Sequence, residues 1–283
     1  MNGDFSAGLL ARVALESNLF RYNHNIGQNF LLDDELIERI ISCAGVDENS
    51  NILEVGPGAG VMTRHMADRG ASVTAVELDK NLEPVLETVL DGSNVRLIWA
   101  DIMKLDIETT MGEKPYFVVA NLPYYITGDV ILRFLSLKNR PERIDIMVQT
   151  EAAERIMAKQ GSKKWCALSA TVQYFCKCET LEELGPELFT PSPHVSSSFI
   201  ELECYAEKPV QAKDDRLMVR LINCAFAMRR KTMQNNLCAS FSVDRDTAEK
   251  WLTACGLDPK VRGEALSLAE LCALADVIFD AKQ

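Results

Sequence analysis

Paired metal ligands, long uncharged runs and positive charge are all scarce in this sequence. Its nine cysteines include no CxxC pair, Cys176-x-Cys178 being the one close spacing, and His24, His65 and His194 stand far apart. Tetrahedral sites draw on CxxC-type or paired histidine ligands, so no metal is expected and the thiols read as reduced and mostly buried. Uncharged stretches such as Tyr116 to Gly128 fall short of the ~18 apolar residues of a membrane span, so no membrane association is expected. Asp4, Arg12, Glu16 and Arg21 interrupt the first apolar residues, which argues against a secretory or organellar leader and for a cytoplasmic protein. Lys and Arg number 30 against 41 Asp and Glu, a net charge of -11 that opposes nucleic-acid binding over the surface as a whole. Aromatics are few at 7%, yet 47% of the 283 residues are apolar, enough for one large or two modest cores.

Between residues 51 and 205, short Val/Ile-rich runs alternate with helical patterns in the manner of βαβ units. Strands are predicted at Asn51–Val55, Ser72–Glu77, Val95–Trp99, Tyr116–Ala120, Arg143–Gln149, Phe175–Thr180 and Ser197–Tyr205. Helices are predicted between them at Val61–Arg69, Leu82–Leu90, Asp129–Leu135, Glu151–Lys159 and Leu168–Tyr174. This is an α/β pattern, a doubly wound sheet with helices on both faces. Strand-like runs stop after Ala206, and the helical segments near Asp215–Phe226, Lys231–Leu237, Arg245–Cys255 and Leu268–Asp280 predict a small helical C-terminal domain over 207–283, beside a sheet domain over 1–206.

Ile52-Leu53-Glu54-Val55-Gly56-Pro57-Gly58-Ala59-Gly60 reads as a buried strand entering a glycine turn and then a helix. Glycines let the backbone turn sharply and a ligand approach closely, although such a turn also occurs without any ligand. Pro57 removes an N–H where a pyrophosphate would want a donor, which tilts the reading away from a dinucleotide. Glu77 ends the next strand, where a carboxylate can accept both ribose hydroxyls of a nucleoside, and Asp101 follows the third strand, where it can accept from an exocyclic adenine amine. Upstream, Gly27-Gln28-Asn29-Phe30-Leu31 leads into a helix capped by Asp33, and can fold over a ligand as a lid, with Asn29 and the Leu31 backbone touching it.

Asn121-Leu122-Pro123-Tyr124, directly after Phe117-Val118-Val119-Ala120, is the sharpest feature. The lone pair of an exocyclic adenine nitrogen is delocalised into the ring, so a site that methylates it must accept both amine hydrogens, aim the lone pair and clamp the base. The Asn121 side-chain oxygen and the Leu122 carbonyl can be those acceptors, Pro123 fixes the turn, and Tyr124 offers a stacking face; a plain Asn-Pro turn is the bland alternative. The run Met228-Arg229-Arg230-Lys231 concentrates positive charge, as a solvated helix face or as a local nucleic-acid contact.

These stretches, with Glu77-Leu78-Asp79, Phe189-Thr190-Pro191-Ser192-Pro193, Phe226-Ala227-Met228-Arg229-Arg230-Lys231-Thr232 and Arg262-Gly263-Glu264, occur in the order of a known family from about residue 25 to about 275. The chain resembles the rRNA adenine N6,N6-dimethyltransferases of the universal small-subunit type, which methylate two adjacent adenosines near the 3′ end of small-subunit (16S) rRNA. The resemblance implies a Rossmann-like S-adenosylmethionine methyltransferase domain, an N-terminal lid and a small helical C-terminal domain. It assigns S-adenosylmethionine to Asn29, Leu31, Gly56, Glu77, Asp101 and Asn121, and the target base to Asn121, Leu122 and Tyr124. Phe189 becomes a second aromatic against the flipped adenine, with core packing as its alternative. Arg229, Arg230 and Lys231 become RNA-backbone contacts. The implied partner is small-subunit rRNA in a pre-assembled small ribosomal subunit, approached by a monomer. Departures from the pattern include Asn23-His24-Asn25-Ile26 and Thr150 where basic residues are usual, and Trp165-Cys166 where Tyr-Gly is common. A large-subunit rRNA target, or an assembly factor with secondary or lost catalysis, are the competing readings.

Overall fold

The computed structural model of the protein describes residues 5–22, 28–123 and 125–282. In chain order the elements are α1 (Ala7–Ser17), β1 (Phe30–Leu31), α2 (Asp34–Cys43), β2 (Asn51–Val55), α3 (Val61–Asp68), β3 (Ser72–Glu77), α4 (Glu83–Val89), β4 (Arg96–Trp99), α5 (Ile107–Met111), β5 (Phe117–Asn121) and α6 (Thr127–Leu135). There follow β6 (Arg143–Gln149), α7 (Thr150–Ile156), α8 (Ala167–Phe175), β7 (Cys176–Leu184), β8 (Phe189–Thr190), β9 (Ser197–Cys204), α9 (Asp215–Ala227), α10 (Met233–Phe241), α11 (Arg245–Ala254) and α12 (Leu268–Asp280).

Seven strands form one sheet in the order β4-β3-β2-β5-β6-β9-β7, and β1 pairs with β8 separately. The first five run parallel, with β2 between β3 and β5, while β9 runs antiparallel to β6. Ile52, Leu53, Val118, Ile146 and Ile200 are at most 0% exposed, which is why these central strands read as continuous apolar runs rather than as alternating ones. The predicted bounds of β2, β3 and β6 coincide with the observed ones. The strand predicted to end at Thr180 continues to Leu184, because β7 lies at the sheet edge, where Glu179 and Glu183 meet solvent at little cost and Glu182 pairs with Arg39 at 3.0 Å. Helix α1 had no periodic signature, since its buried stripe is mostly Ala7, Ala11 and Ala14 while Leu9 and Val13 face outward.

By contact the chain divides into two compact units, residues 1–153 with 178–204, and residues 154–177 with 205–283. The second unit is helical and includes α8, which periodicity alone groups with the sheet. In it the Tyr174 hydroxyl donates to Asp215 Oδ1 at 2.7 Å, and Asn236 Nδ2 to the Ala225 carbonyl at 3.1 Å. Gly263 lies so close to α9 that a Cβ there would sit 2.1 Å from the Ala225 oxygen, a packing only glycine permits. Among the described residues, no group of three or more potential ligands is gathered as a metal would need, and no helix is long and apolar enough to cross a membrane.

Candidate active site

From β2 the chain progresses outward through β3 and β4, and from β5 it progresses the opposite way through β6, so strand order reverses between β2 and β5. In an open α/β sheet the loops leaving the carboxyl ends of the strands part at such a point and leave a crevice. The crevice here encloses about 1070 Å³ with its mouth included, and its wall contains Asn29, Leu31, Gly56, Glu77, Asp101, Asn121 and Leu122. Four consecutive strand ends and the lid segment thus bring together the cofactor positions expected from the sequence. Tyr124, Gly27 and Asn23 to Ile26 lie outside the described residues.

Each wall is built from local chemistry. After β2, Gly56 and Gly58 take φ of +71° and +57°, left-handed values that side chains avoid. Nothing lies within 4 Å of a Cβ built on Gly56, which opens onto space, whereas one on Gly58 would sit 2.9 Å from the ring of Phe30. The lid therefore rests on the glycine turn through Phe30, which also packs against Phe20 and Tyr22 at ring-centroid distances of 5.9 and 5.6 Å. The lid is fastened twice more. Gln28 Nε2 donates to Asp79 Oδ2 at 2.8 Å, and Asn121 Nδ2 donates to the Asn29 carbonyl at 2.9 Å. Asp33 caps α2 by accepting from Leu36 N at 2.9 Å, as expected.

Glu77 is 6% exposed and accepts from the backbone N–H groups of Leu78 and Asp79, both at 2.8 Å, and of Gly58 at 3.3 Å. Burial raises its pKa, and those three N–H groups hold the rise in check by favouring the carboxylate. It is a fixed, oriented acceptor at the cleft wall. Asp101 is anchored by Met103 N at 2.9 Å and is only loosely paired with the exposed Lys104, 3.4 Å away. Glu54, one turn of the pleat before the glycine loop, is 0% exposed, and burial pushes its carboxyl up to about 8. Sequence reasoning passed over Glu54, since a carboxylate inside an apolar run is visible as such but its degree of burial is not.

With the Asn121 nitrogen committed to the lid, its amide oxygen is the group that can accept from a substrate amine. Leu122 is held by its N–H to the Met147 carbonyl at 3.4 Å, and the Pro123 carbonyl accepts from Ile126 N at 3.2 Å, so the turn is closed on both sides. The donor set fits S-adenosylmethionine: a buried carboxylate for ribose hydroxyls, an acidic group for an exocyclic amine, and a glycine turn whose Cβ space is open. Phe189 is not part of this wall; it is 3% exposed, in β8 opposite Leu31, and belongs to the core. Arg229, Arg230 and Lys231 are exposed in the second unit on the turn between α9 and α10, with Arg229 Nε 2.6 Å from Glu264.

A family model described as ribosomal RNA adenine dimethylase matches residues 19–280. A ribosomal RNA small subunit methyltransferase A from Clostridium botulinum (strain Loch Maree / Type A3) is 38% identical over 263 residues, covering 92% of this chain and 95% of the relative. Its counterpart from Clostridium perfringens (strain SM101 / Type A) is 40% identical over 261 residues, covering 92% and 91%. Among solved structures, a dimethyladenosine transferase from Plasmodium falciparum matches with a TM-score of 0.69 at 21% identity, covering 86% of this chain and 94% of that one, and so speaks for the fold. The 23S rRNA methyltransferase ErmE matches with a TM-score of 0.65 at 25% identity, covering 89% and 100%.

Proposed function

The chain belongs to the ribosomal RNA adenine dimethylase family, and on that footing we propose that it dimethylates N6 of two adjacent adenosines near the 3′ end of small-subunit rRNA. The observation that carries this reading is the convergence of Gly56, Glu77, Asp101 and Asn121 in one cleft, with Asn121 also tied to the lid. S-adenosylmethionine supplies, when bound, a methyl group made electrophilic by its sulfonium. Asn29, Leu31, Gly56, Glu77, Asp101 and Asn121 would hold it. The Asn121 amide oxygen and the Leu122 carbonyl accept the N6 hydrogens, which draws the nitrogen lone pair out of conjugation with the ring and aims it at the methyl group. Tyr124 clamps the base. As the N6–methyl bond forms, the methyl–sulfur bond would break with its electron pair left on sulfur, so the positive charge passes to N6, whose proton is then acidic and leaves to water; a neutral amide suffices and no strong base is required. A second transfer requires room beside the acceptors for the first methyl.

In this reading, the sheet domain performs the transfer, while the helical C-terminal domain contributes Arg229, Arg230 and Lys231 to the RNA backbone. Binding through the local cluster Arg229, Arg230 and Lys231 would reconcile RNA binding with a net charge of -11. The protein acts as a monomer in the cytoplasm on a pre-assembled small subunit. The likeness to ErmE is one of protein fold, and the higher identity to the small-subunit relatives favours the small subunit over the large. Incubation with methyl-labelled S-adenosylmethionine and small subunits lacking the modification, followed by digestion to nucleosides, tests this. Label is expected in N6,N6-dimethyladenosine, and Asn121→Ala is expected to reduce it by roughly 100-fold or more, the scale on which single oriented hydrogen-bonding groups act in transfer. Absence of label from protein that binds the cofactor would refute the assignment.

A further inference from the structure

Among the described residues, Phe5 and Tyr125 are the aromatic rings left exposed, and Tyr125, at 60%, lies on the wall of the cleft. Its exposure is built in. The chain on its near side is held by Leu122 N to the Met147 carbonyl, and on its far side Ile126 N and the Thr127 hydroxyl both donate to the Pro123 carbonyl, at 3.2 and 3.4 Å. Helix α6 begins at Thr127, so the ring is presented from a closed turn directly beside the two acceptors of the proposed amine site. An apolar ring held out of the core at a substrate cleft gains free energy only when something covers it.

We infer that Tyr125 stacks on the base adjoining the one being methylated, and so favours a target adenosine that has a purine beside it. Resting on the function proposed above, the reasoning is one of lost stacking. A base turned into the cleft leaves its neighbour with one face bare, and an aromatic ring beside the entrance restores that contact. A purine neighbour offers the larger face, so an adenosine beside a purine, as in an adenosine pair, is favoured over one beside a pyrimidine. When the chain advances by one nucleotide, the base that lay on Tyr125 enters the cleft, and one site serves both adenosines.

Kinetics with small subunits lacking the modification test this, using Tyr125→Phe, Tyr125→Leu and Tyr125→Ala beside the unaltered protein. Stacking on an aromatic side chain corresponds to roughly 5- to 150-fold in affinity, so KM for the particle is expected to rise by about that factor in the Ala and Leu variants. The Phe variant is expected to behave like the unaltered protein, cofactor affinity by calorimetry to stay unchanged, and particles modified at one adenosine to accumulate in the Ala variant. An unchanged KM in Tyr125→Ala, or full activity in Tyr125→Leu, would overturn the inference while leaving the proposed function intact. Parallel loss of cofactor binding in the Ala and Leu variants would overturn it too, by making the ring a support for the turn. Inactivity of the unaltered protein on this particle would instead strike the proposed function itself, and this inference with it.

Discussion

Glu54 makes the stability of the sheet-bearing unit depend on pH in a direction opposite to that of paired carboxylates. It is 0% exposed, and burial raises its carboxyl from 4.5 to about 8, with the neighbouring Glu77 adding to the rise and the Thr63 hydroxyl opposing it. Between those values the unfolded chain has lost this proton while the folded one retains it. Raising the pH therefore favours unfolding: the contribution is fully present below 4.5 and is lost as pH climbs through about 8. The span corresponds to about 5 kcal/mol at most, at 1.36 kcal/mol per unit. Glu54→Gln keeps the shape of the neutral acid and has no proton to lose, so its stability relative to the unaltered protein should grow by about 2 kcal/mol or more between pH 5 and pH 8.5. Urea unfolding followed by fluorescence isolates this unit, because Trp99 lies in β4 whereas Trp165 and Trp251 lie in the other unit and can be replaced by Phe in every sample. A stability difference that stays constant with pH would refute the reasoning, since it would mean that Glu54 ionises alike in both states.

Gly58→Ala should destabilise the protein more than Gly56→Ala: both incur roughly 1–2 kcal/mol of left-handed strain, but only the first drives a Cβ to 2.9 Å from Phe30. Equal melting temperatures for the two would show that the lid does not press on the turn. Arg143→Met should cost about 3–5 kcal/mol, because it strips the fully buried Asp145 of a 2.8 Å partner, and a loss under about 1 kcal/mol in urea unfolding would count against that pairing. Arg229→Ala combined with Arg230→Ala should weaken binding to small subunits and flatten its salt dependence while leaving cofactor affinity unchanged. Equal loss of both affinities would make the cluster a support for the fold.

Local chemistry by itself determined the strands β2, β3 and β6, the glycine turn, the caps and the acids at successive strand ends, because β-branched runs, positive-φ glycines and capping side chains act over a few residues. The motif positions at Gly56, Glu77, Asp101 and Asn121 were legible for the same reason, each standing at or just beyond the end of a predicted strand, and Asn29 in the lead-in to a predicted helix. Tertiary structure alone decided the rest. Strand order, and with it the reversal between β2 and β5 that opens the cleft, depends on which buried faces fit together and has no local signature. The pairing of Leu31 with Phe189 is a two-residue ladder too short to read, yet it buries Phe189 in the core. The Asn121 bond to the Asn29 carbonyl joins residues 92 apart, and it is this long-range contact that ties the lid segment to the Asn121 wall of the cleft. Burial likewise separated Glu54 from Glu77: identical side chains, both raised, one sealed under the turn and the other held on three N–H groups facing the cleft.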